Sequence, residues 1–240
     1  MSDHDLLQRL DTLEYEHARL RRLLDGRGPT AGLRHEIRNT LAMVRDVVRR
    51  SAEASGSVED YAAHLEGRLN AMIRIQTAIV NHLQDGVSLQ GLVADELTVH
   101  AIGMRERLTI EGPDILLQPA AARTLGLAFH ELATNVVKFG TLAAPAARLD
   151  VTWAVTESDG YWPCLSLDWV ESGEPAPPTP LHHGFGAEVI EHMTPYQLGG
   201  CGTLKATPDG ICCTLRLPMT PFLGKLRPMH APGADDALLS

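Results

Sequence analysis

The polar residues Glu131, Asn135 and Lys138 carry side chains that can act together on a metal ion and phosphate. Their spacings of 4 and 3 place them on one face of a predicted helix. A carboxylate, an amide oxygen and an ammonium group suit a hydrated Mg²⁺ with attached phosphates, because Mg²⁺ takes oxygen ligands and keeps most of its water. A polar helix face is also commonly just solvated, so both interpretations stay open here. A different face carries the apolar stripe that predicts a buried helix, namely Leu125, Phe129, Leu132, Val136 and Phe139.

A second group of reactive residues lies early in the chain, in the segment His35-Glu36-Ile-Arg-Asn39. His35 is predicted on the polar stripe of a helix, where one imidazole nitrogen can act as a nucleophile. The adjacent carboxylate of Glu36 can orient the imidazole or accept its proton. A lone histidine on a helix is more often structural than catalytic, so a structural His35 is the alternative.

Two short motifs in the second half of the chain carry further candidate binding residues. Trp169-Val-Glu171 closes a predicted strand, and Gly173 follows it. Gly184-Phe-Gly186 opens a predicted helix, and backbone N–H groups at a helix N-terminus can bind an anion. Each motif is weak alone, because Trp169 is equally well a core residue and Glu171 equally well a loop residue.

Taken in order, these motifs resemble the sequence boxes of bacterial histidine kinases of the HWE subfamily. The segment from His35 to Ala42 is similar to the H box, which contains the phosphoacceptor histidine, and departs from it at Glu36. The segment that begins at His130 resembles the N box. Trp169-Val-Glu171 resembles the Trp-x-Glu motif that accompanies an N-box histidine, and Gly184-Phe-Gly186 resembles the second glycine box.

The resemblance covers roughly residues 33–218 and implies a role for each matched residue. His35 would be phosphorylated by ATP, Glu36 would assist it, and Asn39 would orient a water that dephosphorylates a response regulator. For His130 we expect packing or a hydrogen bond within the ATP lobe. The implied ATP and Mg²⁺ site consists of Asn135 for the metal, Lys138 for phosphate, Glu131 for the metal's water shell or proton transfer, Glu171 and Gly173 for adenine, and Gly184 and Gly186 for the triphosphate.

The elements that position these residues predict an α+β chain in four segments. Residues 1–28 carry an apolar seam at spacings of 4, 3, 4, 3 and 4, which predicts a coiled-coil helix. Residues 29–86 predict a helical hairpin that dimerises into a four-helix bundle, which the resemblance makes DHp-like. For residues 87–221 the resemblance implies a GHKL/Bergerat-type α/β sandwich that binds ATP. Residues 222–240 are predicted to be a disordered tail.

Within these segments the pattern predicts individual helices and strands. Hairpin helices are expected at about 30–54 and 58–82, and longer helices from Pro119 to Gly140 and from Gly184 to about Leu198. Strands are expected at 108–111, 115–117, 149–156, 164–170, 203–206 and 211–217, and a mobile loop at 171–183. The residues of the second hairpin helix predicted to face inward are Leu65, Leu69, Met72, Ile73, Ile79 and Val80.

Composition excludes several other classes of protein. The chain has 240 residues and a formal net charge of -9, which argues against non-specific nucleic-acid binding. Its four cysteines have no C-x-x-C spacing, which favours buried thiols in a reducing compartment. No apolar run approaches the roughly 18 residues that a membrane span needs, so no membrane insertion is expected. The start does not resemble a signal peptide, and the cytoplasm is therefore the expected location.

The sequence thus predicts a homodimeric histidine kinase of a two-component system. Its expected partners are a response-regulator receiver domain and an upstream sensor that contacts the N-terminal helix. The alternative is a histidine phosphotransferase or adaptor of the same fold that does not hydrolyse ATP. Glu174 favours this alternative, because it adds negative charge near an anionic ligand, whereas Asn135 and Glu171 favour the kinase. A monomer whose bundle face is covered by another element, such as the N-terminal helix, also stays open.

Overall fold

The computed structural model describes most of the chain and divides it into two compact units. The described residues are 29–53, 56–83, 85–100, 107–138, 147–158, 161–173 and 185–227. One unit extends to Tyr61, and the other begins at Ala62. The predicted coiled coil at 1–28, the helix end at Gly140 and most of the predicted loop, residues 174–183, lie outside the described residues.

Two long helices follow one another at the start of the described chain, close to the predicted bounds. Helix α1 is Pro29–Glu53 and helix α2 is Val58–Asn81. Ser57 caps α2, because its Oγ accepts a hydrogen bond of 3.0 Å from the backbone N–H of Asp60. The acidic side chains of Glu59 and Asp60 in the first turn suit the positive end of the helix dipole.

The buried stripe of α2 differs from the predicted one. Ala71, Ile75 and Ile79 are buried at spacings of 4. Ile73 and Val80 were predicted to face inward, but they are 64% and 56% exposed in the single chain. Positions 73 and 75 are separated by about 200° around a helix, so these two isoleucines point in opposite directions. The dimer that would cover the exposed face stays a prediction.

The unit that begins at Ala62 contains two β-sheets and a layer of helices. Most of its strands were predicted to within two residues. After α2, its elements in chain order are β1 (Val87–Ser88), α3 (Leu89–His100), β2 (Leu108–Glu111), β3 (Ile115–Leu117), α4 (Pro119–Lys138), β4 (Arg148–Thr156), β5 (Cys164–Ser172), α5 (Phe185–Glu188), a π-helical turn (Val189–Met193), α6 (Thr194–Leu198), β6 (Cys201–Thr207), β7 (Gly210–Pro218) and β8 (Gly224–Leu226).

The larger sheet has the strand order β2-β4-β5-β7-β6. Strand β2 pairs in parallel with β4, and the remaining pairs are antiparallel. Alternate residues of the three central strands point to one buried face, on which Val151, Trp169 and Cys213 lie side by side. The smaller sheet has the antiparallel order β1-β3-β8.

Helix α4 is the central element of the helical layer. It contacts α3, α5, the π-helical turn and α6, and α6 also contacts β6 and β7. The predicted apolar stripe is buried at Leu125, Phe129, Leu132 and Val136, while Phe139 lies outside the described residues. Gly126 allows α2 to approach closely, because a Cβ at that position would lie 2.6 Å from Ile75 Cδ1. The helical period therefore correctly predicted which face of α4 is buried.

Two segments that were expected to be irregular belong to strands. Glu171 and Ser172 extend β5, where Glu171 pairs with Leu149 on one side and Ile211 on the other. The expected tail contains β8, whose residues Gly224–Leu226 pair with Ile115–Leu117. Both segments carry weak strand patterns of their own, and the neighbouring strand provides the hydrogen-bond partners that fix them.

Helical structure also differs from the prediction at two places. Helix α3 was not predicted. The helix expected to run from Gly184 to Leu198 begins, in the described residues, at Phe185 and contains the π-helical turn, where the Thr194 N–H donates to the Val189 carbonyl. Among the helices that the structure describes, none has the length and apolar content needed to cross a membrane.

Candidate functional site

Helix α4 places Glu131 and Asn135 next to the glycine in α5. A Cβ added to Gly186 would lie 3.1 Å from Asn135 Nδ2 and 3.3 Å from Glu131 Cβ. A larger residue would therefore push on the asparagine amide, and glycine allows the two segments to meet. Glu131 is buried and Asn135 is half-buried. The structure thus brings together three predicted site residues from the N box and the second glycine box.

The carboxylate of Glu131 is held by an arginine that the sequence did not indicate. Arg68 Nε donates to Glu131 Oε1 at 2.7 Å, and Arg68 Nη2 donates to Oε2 at 2.9 Å. Both side chains are buried, with exposed fractions of 8% and 6%. This parallel pair of charge-assisted hydrogen bonds fixes the plane of the carboxylate as well as its position. Arg68 lies 63 residues before Glu131, so no local spacing relates the two.

The same guanidinium also contacts the start of α5. Its Cζ atom lies 4.0 Å from the centroid of the Phe185 ring, in the range of a cation–π contact. Phe185 is buried and directly precedes Gly186. Arg68 of α2 therefore connects the acid of the N box to the first described residue of the glycine segment.

His130 lies in a separate network of charged side chains. It is buried, and its Nδ1 lies 3.1 Å from Glu96 Oε2, which also accepts a hydrogen bond of 2.7 Å from Arg74 Nη2. Burial alone would raise the pKa of Glu96, but the hydrogen bonds from His130 and Arg74, with their charges, hold the pKa below its usual value. Because an ionised carboxylate only accepts hydrogen bonds, Nδ1 of His130 is the donor. Of packing and a hydrogen bond, which the sequence left open for His130, the structure shows both a buried ring and a hydrogen bond.

Glu171 is a buried carboxylate on an otherwise apolar sheet face. It lies between Leu149 and Ile211 and is 1% exposed. Trp169 is also fully buried, and its Nε1 donates to Glu171 Oε1 at 3.2 Å. A polar group on an apolar, buried face can fix the orientation of a bound ligand, which makes Glu171 a candidate for a ligand-binding role. Gly173 follows at φ 104°, a conformation that favours glycine.

The remaining predicted site residues are only partly located. His35, Glu36 and Asn39 lie in α1, in the unit that ends at Tyr61. The side chains of these three residues and of Lys138, the last residue of α4, are outside the described part of the structure, as is all of Gly184. Their proposed roles therefore stay predictions.

The atoms around Gly186 fit a hydrated Mg²⁺ with attached phosphates. Asn135 and Glu131 supply side-chain oxygens, which are the ligands or water-shell acceptors that Mg²⁺ prefers. Gly186 keeps its side of the site free of a side chain, so that backbone and phosphate can approach closely. The arrangement can bind a metal–phosphate group and place a carboxylate beside it.

Sequence comparison relates the chain to one family of kinases. The sequence model described as HWE histidine kinase matches residues 32–114. A blue-light-activated histidine kinase of Rhizobium johnstonii is 29% identical over 212 residues, which cover 88% of this chain and 56% of that protein. A protein of the same name in Brucella ovis is 26% identical over 187 residues, covering 78% of this chain and 38% of that protein. The chain thus spans 56% and 38% of the length of these two relatives.

Structural comparison finds the same class of protein. The blue-light activated histidine kinase of Erythrobacter litoralis matches with a TM-score of 0.54 and 12% identity, covering 77% of this chain and 59% of that chain. The separate histidine kinase domain of that protein matches with a TM-score of 0.52 and 13% identity, covering 75% of this chain and 96% of that chain. At these identities the likeness concerns the fold.

Proposed function

We propose that this chain is an ATP-dependent protein histidine kinase of the HWE type that phosphorylates itself on His35, because the HWE histidine kinase model matches residues 32–114 and the similar curated proteins are histidine kinases. Its mixed helices and sheets form the histidine kinase fold with a GHKL-type ATP-binding part. The proposal rests above all on the contact of Gly186 with Asn135 and Glu131, since it joins two predicted nucleotide-binding boxes at one place. The histidine kinase activity named for the longer relatives is assigned to this chain only as part of this proposal.

In the proposed reaction His35 provides the nucleophile. An imidazole nitrogen forms a bond to the γ-phosphorus of ATP as the bond to the β–γ bridging oxygen breaks, and ADP leaves. Glu36 accepts the imidazole proton. Positioning and neutralisation of charge contribute most of the rate in phosphoryl transfer, so the enzyme's main task is to hold the triphosphate in line with His35.

In the proposed ATP site, different residues of the unit that begins at Ala62 bind the metal, the phosphates and the base. Asn135 and Glu131 would hold Mg²⁺ through its inner and outer shells, and the metal would neutralise phosphate charge. Lys138, Gly184 and Gly186 are proposed to bind the phosphates. Glu171 is proposed to accept a hydrogen bond from the adenine amino group, and its burial on an apolar face supports a role in recognising a flat, largely apolar base.

Downstream of this step, the proposal follows the prediction from the sequence. The phosphoryl group passes from His35 to an aspartate of a receiver domain on a separate response regulator, and Asn39 orients the water that hydrolyses this aspartyl phosphate and releases inorganic phosphate. A homodimer through the exposed face of α2 and an upstream sensor are part of the same proposal. The second candidate is a phosphotransferase or adaptor that has lost ATP hydrolysis, and the charge of Glu174 favours it.

Incubation with γ-labelled ATP and Mg²⁺ tests the proposal. We expect a label on the wild type that is labile in acid and stable in alkali. It should be absent from His35→Ala and from Asn135→Ala. His82→Ala is a matched control, because His82 is an exposed histidine directly after α2 and its replacement should leave labelling unchanged.

A thermal shift with Mg²⁺-ATP separates the two candidates. ATP at roughly 100 times its dissociation constant should stabilise a binding-competent protein by about 2.7 kcal/mol. A wild type with neither label nor shift would move the function to the phosphotransferase or adaptor. Labelling that persists in His35→Ala would refute the assignment of the phosphoacceptor.

A further inference from the structure

We propose that Arg68 of helix α2 is a positioning residue for phosphoryl transfer, acting through Glu131 and Phe185. This inference rests on the proposed kinase function and adds to the ATP site a residue from outside the predicted ATP-binding segment. Helix α2 belongs to the predicted phosphotransfer hairpin, whereas Glu131 and Phe185 lie in α4 and α5. The hairpin helix would then help to build the site that it serves.

The geometry gives Arg68 two simultaneous contacts. Its Nε and Nη2 atoms donate to the two oxygens of Glu131 at 2.7 and 2.9 Å, while its Cζ lies 4.0 Å from the Phe185 ring centroid. A planar guanidinium can bind a carboxylate through two parallel hydrogen bonds and stack on an aromatic ring at once. A lysine ammonium cannot reproduce both contacts, because it is a point charge on a flexible stem. The site thus uses a property that distinguishes arginine from lysine.

Arg68 could either orient Glu131 for binding a water of the metal's hydration shell or occupy the oxygens that this water needs. The number of hydrogen bonds that Glu131 can accept decides between the two. An ionised carboxylate has about four lone-pair sites, and a bidentate arginine uses one on each oxygen. Glu131 therefore retains acceptor capacity for a water of the metal's hydration shell while Arg68 holds its plane fixed. The buried guanidinium also compensates the charge of a carboxylate that is 6% exposed. These facts favour an arginine that orients Glu131 towards the metal's hydration shell and does not block it.

The Phe185 contact extends the effect to the glycine segment. Phe185 precedes Gly186, and a Cβ added to Gly186 would lie 3.1 Å from Asn135 Nδ2. A shift of the Phe185 ring would therefore move the backbone that faces Asn135 and Glu131. Through one guanidinium, α2 fixes the carboxylate and the glycine that approaches it.

The conservative variant Arg68→Lys tests the proposal, with Arg74→Lys as its matched control. Arg74 also joins α2 to the neighbouring helices through a buried glutamate, Glu96, but it does not contact Glu131. For each protein we would measure the dissociation constant of ATP with Mg²⁺ and with EDTA, and kcat and KM of self-phosphorylation. The two binding measurements need no turnover, so they report on positioning even without a kinase reaction.

For Arg68→Lys we expect the dissociation constant of ATP in EDTA to stay within about threefold of wild type. The factor by which Mg²⁺ tightens ATP binding, called the Mg²⁺ gain, should fall roughly tenfold. We expect kcat to fall about 10- to 100-fold with little change in KM, as for misplacement of a catalytic group. Arg74→Lys should stay within about twofold in each quantity. If Arg68 acts through Glu131, Arg68→Lys should add little further loss to Glu131→Gln in a double-mutant cycle.

The outcomes separate the two proposals. An unchanged Mg²⁺ gain and kcat in Arg68→Lys, a faster Arg68→Lys, or additive losses in the cycle would overturn the role of Arg68 while leaving the kinase intact. A wild type that binds Mg²⁺-ATP without labelling would indicate a kinase that is held off without its input, and the effect of Mg²⁺ on ATP affinity would then decide the role of Arg68. A wild type that binds no nucleotide would overturn both.

Discussion

Replacing Glu171 by glutamine should weaken ATP binding and change the preference for the base. In the structure, Trp169 Nε1 donates to Glu171 Oε1 at 3.2 Å in a fully buried position. A glutamine amide has one oxygen, and the buried indole N–H needs it. The amide NH₂ would then take the place of the second carboxylate oxygen and, at the proposed adenine site, would face the adenine amino group, so that one donor opposes another.

The expected magnitude follows from two changes at one contact. A hydrogen bond to a charged group contributes about 1.5–3 kcal/mol, and a buried donor without an acceptor costs about 1–3 kcal/mol. Because 1.4 kcal/mol corresponds to a factor of ten, we expect the dissociation constant of Mg²⁺-ATP to rise roughly 100-fold. Guanine presents a carbonyl oxygen where adenine has its amino group, so Mg²⁺-GTP should lose much less affinity or gain some.

Isothermal titration calorimetry of wild type and Glu171→Gln with Mg²⁺-ATP and with Mg²⁺-GTP measures these dissociation constants. Asp168→Asn is the matched control, because Asp168 lies on the same strand, points to the opposite face, and accepts a hydrogen bond of 2.7 Å from Thr214. The control should bind ATP as the wild type does. ATP affinity within twofold of wild type in Glu171→Gln, at an unchanged ATP-to-GTP ratio, would refute the placement of adenine at Glu171.

Two further variants test the helical side of the site. The pKa of Glu96 is lowered in the folded protein, so its stabilising contribution is present above its ordinary value of 4.5 and is lost as the pH falls through the lower folded value. Glu96→Gln should therefore cost about 1–3 kcal/mol at pH 7, and denaturant unfolding should show this difference shrinking below pH 4.5. Gly186→Ala should displace the Asn135 amide by a few tenths of an ångström and weaken Mg²⁺-ATP roughly tenfold in a binding titration, with the unfolding midpoint little changed. A stability difference between wild type and Glu96→Gln that stays constant across pH would contradict the argument for Glu96. Unchanged Mg²⁺-ATP affinity in Gly186→Ala would contradict the argument for Gly186.

Local patterns predicted the elements whose own residues determine them. The stripe from Leu125 to Val136 alternates steps of 4 and 3, and it is buried as expected. Strands β2 and β3 have the predicted bounds because short apolar runs flank the turn at Gly112 and Pro113. The contact of Gly186 with the N box was reached through the resemblance, since nothing in a lone Gly-x-Gly indicates which helix it approaches.

Other elements depend on partners that are distant in sequence. Strand β8 exists because its backbone pairs with β3, more than a hundred residues earlier in the chain. Helix α3 did carry a signal, since its buried residues Leu89, Leu92, Val93 and Leu97 have helical spacings. The two arginines of α2 carried none, because an arginine within a helix is usually solvated and nothing nearby marks it as buried.

Those arginines explain how adjacent residues of the N box can have different tasks. Arg68 binds Glu131 directly, whereas Arg74 reaches His130 through Glu96. His130 is 4% exposed and its Nδ1 is committed to Glu96, so its ring is fixed between helices. Residues 130 and 131 are separated by about 100° around α4, so that His130 reaches Glu96 of α3 and Glu131 reaches Arg68 of α2. A shift of α2 along its axis would strain both links together, because each ends on a buried carboxylate whose charge needs its arginine. The hairpin helix therefore orients Glu131 directly through Arg68, whereas its link through Arg74 and Glu96 ends on the neighbouring His130.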